Sequence, residues 1–141
     1  MPTRPCAKAA VRYERANAKR HGVDADKIAM FGESAGACSA MAVAMTLESD
    51  YKADVSTDDD PTLSTTNPSE SSRVATVRDH WSSDDLATQL TSRDGRPRHA
   101  KANAPVAAFH GIVDNLVCPS QTRFRSTPGT TPAGCDTGSS R

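Results

Sequence analysis

Aromatic residues and long apolar runs are both scarce in this sequence. Of its 141 residues, 4% are aromatic and 36% are hydrophobic, below the usual apolar share of a globular domain. We therefore expect a thin core with long irregular stretches. The longest apolar runs are only a few residues, which excludes a membrane span, and the start MPTRPCAKAA lacks the hydrophobic segment of a secretory signal. The cellular location stays open.

An excess of either charge is also lacking. Seventeen basic and seventeen acidic residues cancel, and neither sign forms a block, which argues against nucleic acid as a partner. Cys6, Cys38, Cys118 and Cys135 form no CxxC pair and have no histidine at metal-site spacing. We expect free thiols, no metal and no cofactor.

The chain divides into one domain and a tail. Residues 1–125 are predicted to form the domain, which includes a polar loop at 48–72. Residues 126–141 contain almost nothing that could be buried and are predicted to be disordered. The domain begins with a predicted helix over 5–20, rich in Ala, Lys, Arg and Glu, and Gly22 follows as a left-handed cap.

Short apolar runs alternate with helical segments in the rest of the domain. Residues 28–31, 73–77 and 105–109 are predicted strands, because each run is apolar and too short for a helix. Residues 35–47 and 82–90 are predicted helices. This alternation indicates an α/β fold with a parallel sheet flanked by helices.

One motif in the sequence carries chemistry. Gly32, Glu33, Ser34, Ala35 and Gly36 match GxSxG, a pattern that chance would produce in about one chain of this size in twenty. Here it lies between a predicted strand and an alanine-rich helix, the setting of a sharp turn that exposes a serine hydroxyl. Ser34 is then the nucleophile, both glycines relieve clashes, and the Ala35 amide donates to an oxyanion. A GlySerGly-like surface loop is the competing interpretation.

Four segments bear a wider resemblance to a known family: AVRY at 10–13, RANA at 15–18, GVDADKIAMFGESAGA at 22–37 and APVAAFHGIVD at 104–114. Together they resemble the lipase, carboxylesterase and feruloyl-esterase-like (BD-FAE type) branch of the α/β-hydrolases, over about residues 5–122. The resemblance implies a partial α/β-hydrolase fold. It also implies hydrolysis of small-molecule carboxylic esters through an acyl-enzyme on Ser34, with no cofactor.

The same resemblance implies a catalytic acid. Asp114 occupies the position of the family's triad acid, which orients and charge-stabilises a histidine. Asp114 followed by Asn115 is also a good turn pair, so a turn-forming role is the alternative. Asp79 and Asp84 are the substitutes if Asp114 is not the acid.

The catalytic histidine is missing from its expected place. In this fold the triad runs serine, acid, histidine, yet His21, His80, His99 and His110 all precede Asp114. His21 is interpreted as a helix-end residue and His99 as a loop residue, while His80 and His110 remain minor candidates for a substitute base. The family's HGGG-like oxyanion loop is absent too, which leaves only Ala35 as a donor.

Two smaller departures concern residues outside the motif. Glu14 stands where the family has an apolar residue on a helix, and Cys118 interrupts a turn. A truncated or frame-disrupted gene product would explain all the departures together. We therefore expect an impaired serine carboxylesterase, and the alternative is a non-catalytic remnant that binds a protein partner. The sequence does not indicate an oligomeric state.

Overall fold

The computed structural model of the chain describes residues 3–50, 58–82, 91–98, 103–111 and 113–114. These residues include helices α1 (Thr3–Ala16), α2 (Ala18–His21) and α3 (Ala35–Met45), and strands β1 (Ala29–Glu33), β2 (Thr76–His80) and β3 (Val106–Phe109). A 3-10 helix, Pro61–Thr65, lies in the polar loop. The predicted helix at 82–90, apart from Ser82, lies outside the described residues, as does the predicted disordered tail at 126–141. The domain limits stay a prediction.

The predicted N-terminal helix over 5–20 is present as two helices. The break falls at Asn17, whose backbone amide and side-chain amide both donate to the Tyr13 carbonyl, at 3.0 and 2.9 Å. α2 ends at Gly22, which has a φ of 69°, so the predicted left-handed cap is confirmed. No helix among the described residues combines the length and the apolar character needed to cross a membrane.

α1 has a buried side and a solvent side. Val11 is 4% exposed and belongs to the core, and the neighbouring Arg12 donates from its Nε to the Thr66 carbonyl at 3.0 Å. Glu14 faces solvent, where its Oε2 lies 2.8 Å from Nδ1 of His21. A charged residue at this position therefore removes nothing from the core of this chain, because the Glu14 side chain lies outside it.

The three strands form one parallel sheet in the order β1-β2-β3, as the alternation of strands and helices predicts. β2 begins three residues later than the predicted strand over 73–77. Arg78 pairs with Phe31 on one side and with Ala107 on the other, so backbone pairing continues through a polar stretch. Parallel hydrogen bonding depends on the backbone and tolerates polar side chains that face outward.

Among the described elements, α3 covers one face of the sheet and none covers the opposite face. α3 packs across β1 and β2 and buries Val77 on the covered face. On the opposite face Phe31 is 59% exposed, and Arg78 and Phe109 are exposed as well. The core is small, as the composition predicts; its buried apolar residues are Val11, Ala40, Met41, Val43, Met45, Val74 and Val77.

Glu48, just after α3, ties this helix to the segment that precedes β2. Its carboxylate accepts hydrogen bonds from the Ser71 hydroxyl, from the Ser72 hydroxyl at 2.7 Å and from the Ser72 amide at 3.1 Å. Burial opposes ionisation of this carboxyl group, but these hydrogen bonds outweigh it and lower the pKa of Glu48 to about 2. The charged form therefore stabilises the fold.

Glu48→Gln is expected to weaken the pH dependence of stability in acid. Because the folded pKa lies below the usual value of 4.5, the stability from this carboxylate is complete above pH 4.5 and is lost as the pH falls towards 2. Urea unfolding at several pH values measures the effect. The control is Glu70→Gln, since the Glu70 carboxylate accepts no hydrogen bond from the described residues. Equal slopes in the two variants would contradict the assignment.

Candidate active site

The backbone turns sharply at Ser34, between the last residue of β1 and the first of α3. Ser34 has φ 50° and ψ −120°. A positive φ is uncommon for a residue with a Cβ and costs about 1–3 kcal/mol, so it persists only where the surrounding structure enforces it. Ser34 is exposed, and its hydroxyl makes no hydrogen bond with the start of α3. The hydroxyl is therefore accessible to a ligand.

Gly32 makes the turn sterically feasible. A Cβ at this position would lie 2.4 Å from the carbonyl carbon and oxygen of Gly36 and 2.5 Å from the amide nitrogen of Ala37. These are backbone atoms that cannot move aside, so only glycine fits. Gly36 differs, because a Cβ there would meet none of the described atoms within 4 Å. The expectation that Gly36 also relieves a clash is therefore wrong.

Backbone hydrogen bonds hold the turn against the ends of the neighbouring strands. The Ser34 amide donates to the His80 carbonyl at 3.0 Å, and the Trp81 amide donates to the Phe109 carbonyl at 2.9 Å. These bonds extend the sheet register by one residue beyond β1 and β2. Ala35 is the first residue of α3, so its amide belongs to the group that has no acceptor inside the helix. It can donate to an anion at Ser34.

Asp114 and His110 form a pair just beyond β3. The Nε2 atom of His110 lies 3.4 Å from Oδ2 of Asp114, and the two side chains are 11% and 24% exposed. The acid position implied by the resemblance therefore has an imidazole beside it, contributed from upstream in the sequence. This contact favours an electrostatic role for Asp114, but it uses a histidine other than the one that the family's order requires.

The substitute acids differ in where they lie. Asp79 is 1% exposed on the face that α3 covers, next to Gly32 in the sheet register, and neither of its carboxylate oxygens has a hydrogen-bond partner among the described residues. Asp84 lies outside the described residues. Because Asp79 is enclosed beneath α3, it is a weaker candidate than Asp114 to contact a base at the exposed Ser34.

None of the three described histidines, His21, His80 and His110, is hydrogen-bonded to the Ser34 side chain. His21 pairs with Glu14 at the end of α2, and His99 lies outside the described residues. His80 points its ring into a cluster of aromatic side chains. The Ser34 hydroxyl forms no hydrogen bond within the part of the chain that the structure describes. A general base that accepts its proton is therefore not identified among these residues.

A cluster of aromatic rings was not predicted from the sequence. The His80 ring lies 4.9 Å from the Phe31 ring, 5.1 Å from the Phe109 ring and 5.5 Å from the Trp81 ring, centroid to centroid. The Arg78 guanidinium lies 4.8 Å from the Phe109 ring centroid. The signal in the sequence is that an aromatic residue lies within two positions of the end of each strand, and that signal has meaning only once the register is known.

The described part of the chain offers no candidate metal site. Among residues 3–50, 58–82, 91–98, 103–111 and 113–114, no three His, Cys, Asp or Glu side chains are grouped so that they could hold a metal ion. Cys6 and Cys38 carry free thiols. Cys118 and Cys135 lie outside these residues.

Comparison with known proteins agrees with the fold. No curated protein matches the sequence. Among solved structures, a thermophilic esterase from the Planctomycetes species Thermogutta terrifontis, Est2 with butyrate bound, superposes with a TM-score of 0.56 at 24% identity. The match covers 81% of this chain and 45% of the esterase, so the chain spans less than half the length of that protein.

The family comparison covers most of the chain. The BD-FAE family model matches residues 6–111, a stretch that includes all of β1, α3, β2 and β3. The parallel sheet, the strained serine between β1 and α3, and the superposition on an esterase agree with this match. The chain belongs to the BD-FAE family of α/β-hydrolases.

Proposed function

We propose that this chain is a serine hydrolase of the carboxylesterase type, in which Ser34 attacks carboxylic esters. The observation that carries the proposal is the strained backbone of Ser34, at φ 50° and ψ −120°, at the end of a parallel strand with its hydroxyl exposed. Strain of this kind concentrates at functional sites, and a nucleophile elbow is the arrangement that requires it at a serine. Family membership supports the same assignment.

The proposed reaction proceeds through an acyl-enzyme. A base removes the Ser34 hydroxyl proton while Oγ bonds to the ester carbonyl carbon, and the Ala35 amide stabilises the oxyanion. The intermediate collapses, the bond to the alcohol oxygen breaks, and the base returns the proton to the leaving alcohol. Water then attacks the acyl-enzyme by the same steps and releases the acid. Asp114 would orient and charge-stabilise the base.

We propose further that turnover by this chain alone is weak. No histidine follows Asp114 in the sequence, and Ser34 forms no hydrogen bond to a described base. An enzyme that lacks a triad member still exceeds the uncatalysed reaction by about 10³–10⁴-fold through oxyanion stabilisation and binding. Hydrolysis of nitrophenyl butyrate is expected at no more than this level. The acyl group is chosen because the superposed esterase is described with butyrate bound.

Labelling with a fluorophosphonate probe tests the nucleophile directly. The parent chain is expected to be labelled slowly at Ser34, and Ser34→Ala is expected to abolish labelling, because the probe bonds to an activated serine oxygen. Ser39→Ala is the matched control, since Ser39 lies in the same helix and its hydroxyl donates to the Ala35 carbonyl at 3.0 Å. Labelling that survives in Ser34→Ala would refute the nucleophile, and fast ester turnover that depends on Ser34 would refute the impairment.

The second candidate function is a non-catalytic protein that binds a partner. It is favoured by the open face of the sheet, where Phe31 and Phe109 are 59% and 45% exposed. Purely parallel sheets are usually covered on both faces, so exposed aromatic residues here suit a protein contact. A folded chain in which Ser34 resists the probe entirely would favour this function.

A further inference from the structure

Trp81 lies directly beside the proposed nucleophile. Glu33 pairs with His80 in the register of β1 and β2, and the Ser34 amide continues that pairing by donating to the His80 carbonyl at 3.0 Å. The next residues along the two strands, Ser34 and Trp81, are therefore neighbours across the sheet. Adjacent strands are about 4.8 Å apart, so a group bonded to Ser34 lies within reach of Trp81.

The backbone at Trp81 is as unusual as that at Ser34. Its φ is 45°, and Ser34 and Asn67 are the other residues besides glycine with positive φ in the described part of the chain. Positive φ is a real outlier for a bulky aromatic residue, whereas asparagine adopts it more readily. Two strained residues thus occupy the ends of adjacent strands. The Trp81 amide donates to the Phe109 carbonyl at 2.9 Å, which fixes this conformation.

The indole ring is supported on one side and open on the other. It lies 5.5 Å from the His80 ring at a tilt of 50°, and His80 packs in turn against Phe31 and Phe109. Trp81 nevertheless remains 39% exposed. An aromatic side chain that is already held by its neighbours loses little conformational freedom when a ligand covers its open part, so it makes an effective apolar contact.

We propose that Trp81 determines specificity for the acyl group, by forming the apolar wall that the acyl chain contacts while it is bonded to Ser34. The proposal rests on the proposed function, because it requires an acyl-enzyme at Ser34. The acyl group is assigned rather than the alcohol, since the acyl carbon becomes covalently attached to Ser34 Oγ and remains within reach of the adjacent strand end.

Fluorescence of the intact chain provides the first test. Trp81 is the single tryptophan of the sequence, so the tryptophan emission comes from this residue alone. Covalent labelling with an octyl fluorophosphonate is expected to shift the emission to shorter wavelength, because the alkyl chain would displace water from the indole. A methyl fluorophosphonate is expected to leave the emission unchanged. An identical emission after both labels would overturn the proposal without requiring any variant.

Labelling rates of variants provide the second test. Trp81→Ala is expected to slow labelling by the octyl probe about tenfold relative to the methyl probe, the effect of roughly two methylene groups that lose an apolar contact. Trp81→Phe retains a flat ring and is expected to keep most of the preference for the octyl probe. Tyr13→Ala is the control, because Tyr13 is a comparably exposed aromatic residue on α1, at 46%. Circular dichroism verifies that each variant is folded.

The outcomes separate the two proposals. If Ser34 is labelled but Trp81→Ala leaves the octyl-to-methyl ratio unchanged, the role of Trp81 is refuted and the nucleophile stands. If neither probe labels the folded parent chain, the proposed function is refuted, and the specificity assignment is refuted with it. A ratio that falls equally in Tyr13→Ala would also refute the assignment, since the loss would then not arise at the strand end.

Discussion

Gly32→Ala is expected to destabilise the chain by roughly 3 kcal/mol or more, because the added methyl group would overlap the backbone of the following helix. The new Cβ would lie 2.4 Å from two backbone atoms of Gly36 and 2.5 Å from the Ala37 amide nitrogen. Neither β1 nor α3 can move apart without a loss of stability, since β1 is hydrogen-bonded to β2 and α3 supplies much of the core. A domain with a net stability of about 5–15 kcal/mol has little reserve for such a loss.

Gly36→Ala is the matched control for this prediction. The same methyl group at Gly36 would meet none of the described atoms within 4 Å, and alanine is favoured over glycine in a helix by about 0.5–1 kcal/mol. Gly36→Ala is therefore expected to be neutral or slightly stabilising. Urea unfolding followed by circular dichroism measures both variants. Similar midpoints for the two would contradict the close approach at Gly32.

The same pair of variants also tests whether labelling of Ser34 depends on the conformation of the turn. If Gly32→Ala remains folded at low temperature, it is expected to lose fluorophosphonate labelling, because Ser34 can no longer keep its strained backbone. Gly36→Ala is expected to retain labelling. Loss of labelling in both variants would indicate that the first turn of α3 tolerates no change, and the steric account of the motif would then be wrong.

The elements that the sequence predicts well are those with uninterrupted local patterns. β1 and β3 come from apolar runs, and α3 comes from a segment rich in alanine and methionine, so local composition alone was sufficient. The sequence pattern predicts β2 three residues too early, because Arg78, Asp79 and His80 are polar and resemble the end of a strand. Their pairing is enforced by the strands on either side, and a single sequence does not carry that information.

The candidate site follows the same division between local and distant information. The turn at Ser34 is encoded within a few residues and is predictable, whereas the steric role that the motif predicts for Gly36 is absent from the structure. The place of Trp81 beside Ser34 depends on the register of β1 and β2. β1 ends at Glu33 and β2 begins 43 positions later, at Thr76. The contact between His110 and Asp114 was not predicted, because Asp114 was expected to serve a histidine further along the chain.

A buried ion cluster is the feature that was hardest to predict, and it carries the second large expected effect. All five guanidinium N–H groups of Arg98 donate: two to Asp50, two to Asp94 and one to the Arg96 carbonyl. The Arg98 side chain is 0% exposed and that of Asp50 is 4% exposed. The hydrogen bonds from Arg98 oppose the effect of burial and hold the pKa of Asp50 below its usual range.

The cluster joins parts of the chain that are distant in sequence. Lys8 on α1 donates to the carbonyls of Leu47 and Asp50, and the Leu47 amide donates to the Asp50 carboxylate at 2.8 Å. Asp50 therefore links α1, the end of α3 and the segment around Arg98. With a small apolar core, this charged contact becomes a principal connection between these segments.

Arg98→Met is expected to destabilise the chain by about 3 kcal/mol, because it would leave the Asp50 carboxylate buried without its main partner. Lys8 would compensate only in part: its charge also lowers the pKa of Asp50, but its two hydrogen bonds described above go to the carbonyl oxygens of Leu47 and Asp50. The double variant Arg98→Met with Asp50→Leu is expected to be more stable than Arg98→Met alone, because it also removes the unpaired charge. Thermal unfolding at neutral pH measures all three chains.

Arg96→Ala is the control that distinguishes burial from charge. Arg96 also contacts Asp94 and Asp50, at 2.7 and 3.4 Å, but its side chain is 52% exposed. Exposed ion pairs contribute about 0–1 kcal/mol, so this variant is expected to unfold close to the parent chain. If Arg96→Ala and Arg98→Met had equal effects, net charge rather than burial would account for the loss. If Asp50→Leu failed to rescue Arg98→Met, the unpaired carboxylate would not be its cause.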